Sequence, residues 1–272
     1  MIRLLIPFLI SGILFAQQRT EPAHCFPFES LSSDDRVIAE QLLLQLMDSE
    51  ALYTLATSIR PVSLGSAYLF ISADQRENHP DLFVWKRISK VFQCTDDLEA
   101  EVIPTGPVYR GKQFWHFVIA RRSAVRRAES ENLKYFSQFG LEQSRGAIEL
   151  FRLVDQSPRS EVSYEGYGYL LGHPQYSVRF GLTAQRLRRE RHFIPAGSYS
   201  VKTFDEKGLQ LSWSTPLNHV ENSEDLMIKT SAVKTLEEYK KRREKFIGSD
   251  KPGAAALVRD WFCGEKGCRL PE

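Results

Sequence analysis

Four cysteines constrain this chain more than any other feature, because their positions make chemical sense only alongside the apolar run at its start. They are Cys25, Cys94, Cys263 and Cys268. The first residues are Met-Ile-Arg, followed by LLIPFLISGILFA from Leu4 to Ala16 and then the polar QQRTEP. An early positive charge, a short apolar stretch and a small residue at its end are the layout of a secretory signal peptide, with Ala16 preceding the cut. A membrane-spanning helix needs about 20 apolar residues, and this run is shorter and interrupted by Pro7 and Gly12. No later segment is apolar enough to span a bilayer. The sequence therefore predicts a secreted or periplasmic protein, cleaved after Ala16, with no transmembrane helix in the mature chain.

All four cysteines follow the expected cut. In an oxidising compartment an even set is read first as disulfides, although sequence alone leaves three pairings open. The glycine-flanked turn in CGEKGC favours Cys263–Cys268, which leaves Cys25–Cys94. Closing the short ring is worth roughly 2 kcal/mol in chain entropy and closing the long one roughly 4 kcal/mol, so the second is the structural bond. A zinc site fits poorly: the tail spacing is C-x4-C and no histidine follows His219. No metal or cofactor is expected.

The 272 residues, 42% hydrophobic and 26% charged, have ordinary globular proportions. A net charge of +2 is far from the strong basicity of a dedicated nucleic-acid binder, so no nucleic-acid partner is expected. No repeat or low-complexity tract is present. The expected organisation is a leader (1–16), an extended segment (17–31) and one globular domain (32–272). Its class is α+β, mostly helical with a few short strands and one β-hairpin.

Helical spacing of Val37, Ile38, Leu42, Leu46, Leu52 and Leu55 marks a core face over 32–57, with Ser33 as N-cap and a break near Asp48-Ser49. A second apolar helix is read at 82–92. EAEVIPTG and KQFWHFVIARR are strand-like, and a polar helix follows from Ser123 towards Gly140. Gly172 suits the left-handed end of one helix and Pro174 the opening of the next. Residues 199–204 and 209–215 read as a hairpin closed by Asp-Glu-Lys-Gly. A long helix over 224–246 is capped by Ser223 and turns Leu226, Val233, Leu236 and Tyr239 inward, with Glu237–Lys241 and Glu238–Arg242 as supporting pairs. A final helix runs through AAALVRDWF into the cysteine turn.

The chemical motifs are sparse. AGSYS at 196–200 lacks the second glycine of a nucleophile elbow, and Ser231-Ala-Val-Lys234 has none of the companion motifs of an S-x-x-K enzyme. The six histidines are scattered singly, without metal-ligand spacing. His116, within FWHFVI, is read as a core or edge residue with its ring hydrogen-bonded. Two arginine clusters stand out. Arg122 and Arg126 would share one helix face and Arg186 and Arg189 another, and guanidinium groups so placed suit an anionic ligand or an envelope partner. Their alternative is a solvated face paired with Glu129, Glu131 and Glu190. The sequence carries the motifs of no characterised family. Its functional expectation is a non-catalytic exported protein that binds a ligand or partner at the cell envelope or outside the cell. The alternative is an exported hydrolase built from dispersed acid–base groups, with Glu165, Asp205 and His173 as candidates.

Overall fold

Alternation along residues 112–121 organises the molecule. The computed structural model describes residues 25–64, 67–75, 78–140, 146–158, 160–207, 210–264 and 267–271. The expected leader, and residues 17–24 of the segment after it, lie outside these. The strands are β1 (Val62–Ser63), β2 (Tyr68–Ser72), β3 (Leu98–Tyr109), β4 (Lys112–Arg121), β5 (Ala196–Val201), β6 (Leu211–Pro216), β7 (Cys263–Gly264) and β8 (Gly267–Cys268). The α-helices are α1 (Ser33–Asp48), α2 (Leu52–Leu55), α3 (Pro80–Ser89), α4 (Arg122–Glu131), α5 (Leu133–Phe136), α6 (Ala147–Asp155), α7 (Ser160–Leu170), α8 (Gln175–Arg189), α9 (Ser223–Phe246) and α10 (Ala254–Phe262). The class is α+β, and all described strand pairs are antiparallel.

β4 is the centre of the main sheet. β3 runs along one edge, while β1 and β2 share the other, β1 opposite Ile119 and Ala120 and β2 opposite 112–116. Successive side chains of a strand point to opposite faces. Trp115, Phe117 and Ile119 therefore enter a core with α1, α2, α3, α9 and α10, while Val118 and Ala120 enter a second core under α4–α7. Where those helices stop covering the second face, Tyr68, Phe70, Tyr109 and Phe114 remain exposed.

Several boundaries differ from the sequence reading. Ser32, not Ser33, caps α1: its hydroxyl accepts from Asp35 N at 3.2 Å. Val37 lies on the exposed side of α1, and Ile38 is half-buried. Helix α3 begins two residues early, because Pro80 fits the first turn, where no backbone donor is needed. The hairpin joins β5 to β6 through a longer connection, with Val201 opposite Leu211 as its last pair. Residues 202–205 leave the ladder because α2, the end of α1 and α9 each hold one of them. Tyr53 donates to Lys202 O, Asp205 N donates to Asp48 O at 2.9 Å, and the Phe204 ring lies under the Arg243 guanidinium.

Helix α9 is capped by Asn222 in a reciprocal capping box with Asp225, one residue before the expected cap. Its inward face carries Asp225, Ile228, Ala232, Thr235, Leu236 and Tyr239, whereas Leu226 and Val233 are exposed. Of the two supporting pairs, Glu238–Arg242 forms. The cysteines pair as Cys25–Cys94 and Cys263–Cys268. Among the described residues no helix is long and apolar enough to cross a membrane.

Candidate functional site

Two loops meet to form the floor of the largest described depression. Helix α7 ends in a Schellman motif: His173 N donates to Gly168 O at 2.8 Å and Gly172 N to Tyr169 O at 3.2 Å. Gly172 takes the left-handed position (φ +76°), and a Cβ there would collide with Ile59 O. This contact sets the second loop, Ser58–Pro61, against the first. Arg60 fastens it further by donating from Nη1 to Leu171 O at 3.2 Å. Behind the loops the Arg60 side chain is buried 3.7 Å from Glu50, whose Oε1 also accepts from Ser63 Oγ at 2.7 Å. Burial pulls the guanidinium pKa down while the Glu50 carboxylate opposes the fall. Glu50 Oε2, Thr54 Oγ1 and Arg60 Nε are buried there without a hydrogen-bond partner among the described residues.

Above this floor lies a cleft of about 750 Å³. Its walls are one face of α4 (Ala124, Arg127, Ala128, Glu131) and one face of α9 (Glu224, Met227, Ile228, Ser231). Both sets follow i, i+3, i+4, i+7 spacing, so each helix presents a continuous stripe. His173 and Gln175 close one end. Arg127, Glu131, Glu224 and the His173 ring form no side-chain hydrogen bond or ion pair among the described residues. Burial, and then the positive charge of Arg60, lower the His173 pKa to about 4, so the ring is neutral at physiological pH.

The expected site residues are distributed differently. His173 lies in the cleft, Glu165 lines a depression with Glu161 and Arg186, and Asp205 lines a third beside Asp48. Glu165 is linked to the cleft by accepting from the hydroxyl of Tyr169 at 3.0 Å. A carboxylate close to His173 would raise its pKa, and the groups acting on it include none. The three residues therefore do not assemble as an acid–base set. Of the arginines, Arg122 pairs with Glu99 at 2.8 Å and Arg189 with Glu161. Arg126 is exposed on α4, and the depression that Arg186 lines also contains two carboxylates. His116 is half-buried, with Nδ1 3.3 Å from Leu64 O.

A second polar cluster joins α8, β6 and α9. Asp225 is fully buried and accepts from Tyr176 Oη at 2.6 Å and Asn222 N at 3.1 Å, with His219 Nε2 at 2.6 Å. Trp213 Nε1 donates to the same Tyr176 oxygen at 2.9 Å, and the His219 ring stacks on Tyr176. Burial pushes the Asp225 pKa up, but the hydrogen bonds from Tyr176, Asn222 and His219 outweigh it and hold the carboxyl below its usual range. These bonds tie the buried Asp225 at the start of α9 to Tyr176 on α8 and to His219 before the helix. The i, i+6 spacing of His219 and Asp225 and the neighbouring Asn222 cap were the cluster's only sequence signals.

Comparison with known protein families, curated proteins and solved structures finds no match for this chain.

Proposed function

We propose that this chain is an exported, non-catalytic binding protein and that the cleft between α4 and α9 is its ligand site. One observation carries the reading: a single cleft collects exposed side chains of both charge signs and a neutral imidazole, none of which pairs with another side chain among the described residues. Elsewhere, arginines on the same or adjoining helices are engaged by carboxylates, as in Arg122–Glu99, Arg152–Glu101 and Arg242–Asp260. Ala124, Ala128, Pro61, Met227 and Ile228 supply apolar walls between the charged groups. Convergent polar groups set between apolar walls are what fixes a ligand's orientation in a small-molecule site.

A short zwitterionic peptide matches this arrangement. Its carboxylate would meet Arg127, its amine Glu131 or Glu224, and its amides the neutral His173 and Ser231. The two disulfides and the apolar leader support export. The test is calorimetry with di- to tetrapeptides, free or blocked at either terminus. The account expects free peptides to bind, with either block weakening binding at least about tenfold, or about 1.4 kcal/mol. It also expects Arg127→Ala to remove the sensitivity to the carboxyl block. Equal binding of free and doubly blocked peptides, or no binding to the folded protein, would overturn it.

A further inference from the structure

The two disulfides are not isolated from each other. The Sγ atoms of Cys25, Cys263 and Cys268 all lie within 4.8 Å of one another, although Cys25 and Cys263 belong to opposite ends of the chain. Cys94 is not within that distance of all three. Two arginines hold this arrangement. Arg259 on α10 donates to Cys25 O at 2.8 Å and to Phe26 O, and it pairs with Glu29. Arg121, itself buried and paired with Asp97 at 3.0 Å, donates to the carbonyls of Pro271 and Leu270 beyond the tail turn. Cys25 and Cys94 are fully buried, whereas Cys263 and Cys268 are half-buried beside the exposed Gly264.

We infer that the tail pair Cys263–Cys268 is a redox-active site, through which an external dithiol exchanges electrons with the buried Cys25–Cys94 bond. Thiol–disulfide exchange requires a thiolate to reach a disulfide sulfur, and burial denies an external thiol that approach to Cys25 or Cys94. The tail pair is reachable. The external dithiol reduces Cys263–Cys268 to two thiols and leaves as its own disulfide. A tail thiolate then attacks Cys25 Sγ, forming a mixed disulfide and expelling Cys94 as a thiolate, which takes up the proton released from the tail thiol. The second tail thiol attacks the mixed bond, restores Cys263–Cys268 and releases Cys25 as a thiol. Two electrons and two protons have then passed from the external dithiol to Cys25 and Cys94, and the reverse sequence oxidises the buried pair.

The sign of one rate separates this activity from a purely structural staple. The full-length protein and its Cys263→Ala/Cys268→Ala double variant are incubated folded with dithiothreitol. Cys25–Cys94 reduction is followed by quenched alkylation and peptide mass analysis. The relay predicts that losing the tail pair slows reduction of Cys25–Cys94 at least about tenfold, although the tail is then less constrained. An unchanged or faster rate overturns the relay, since removing a mere staple loosens the structure around the buried bond. A Cys94→Ser variant gives a second reading at equilibrium. Cys25 linked to Cys263 or Cys268 supports the relay, and Cys25 free beside an intact tail pair overturns it.

Discussion

Acidification tests the environment assigned to His173. Its ring is neutral because burial and Arg60 hold the pKa near about 4, against an ordinary value of 6.5. Between those values the unfolded chain binds a proton that the folded chain refuses, so stability falls as pH drops through this window. The contribution is fully present above about pH 6.5 and exhausted below about pH 4. At 1.36 kcal/mol per pH unit, moving from about pH 7.5 to about pH 4.5 costs up to about 2.5 kcal/mol. Because His173 is only half-buried, solvent screening trims this to about 2 kcal/mol. Urea unfolding of the full chain and of His173→Gln, repeated across this range, isolates the effect, because losses from carboxylates are common to both. The wild-type protein should lose about 2 kcal/mol more than the variant, with most of the difference appearing between about pH 6.5 and 4.5. Parallel curves would refute the assignment of a neutral, half-buried imidazole.

Three further perturbations test the framework around the cleft and tail. Gly172→Ala places a Cβ against Ile59 O in a left-handed conformation, and should cost about 2–3 kcal/mol in urea unfolding. Arg121→Met leaves Asp97 without its cation and the last carbonyls without a donor. It should cost about 2–3 kcal/mol and speed amide exchange in 267–271 relative to α1. Asn222→Ala removes one half of the α9 capping box and should cost about 1 kcal/mol by thermal or urea unfolding, most of it restored by Asn222→Asp.

The parts legible in the sequence were those fixed by local stereochemistry. The Gly172–Pro174 junction, the break after Asp48 and the strand character of 99–106 and 112–121 all carry their cause within a few residues, whereas the pairing of those two strands is seen only in the structure. The Cys263–Cys268 turn does too, and the remaining pair followed from it. What the sequence concealed depends on contacts between distant segments. Leu226 and Val233 look like core residues by composition, yet α9 turns Ile228, Ala232 and Tyr239 inward, because Asp225 is anchored to Tyr176 on α8. Residues 202–204 look like strand, but Tyr53 on α2 bonds the carbonyl of Lys202 and the end of α1 holds the neighbouring Asp205 backbone. The bond from Arg60 to Leu171 O and the approach of Gly172 to Ile59 join segments more than 100 residues apart, so no local pattern announces them. His173 was picked out for its position beside a turn. The other charged groups lining the cleft, Arg127, Glu131 and Glu224, lie on helices whose relative placement only the tertiary structure supplies.

The most direct test of the binding role is an amide and imidazole chemical-shift map of the full-length protein titrated with a free zwitterionic tripeptide. The account predicts saturable shifts concentrated at 124–132, 172–175 and 224–231, together with a perturbed His173 ring signal. Shifts scattered over the surface, or confined to residues outside the cleft, would contradict it.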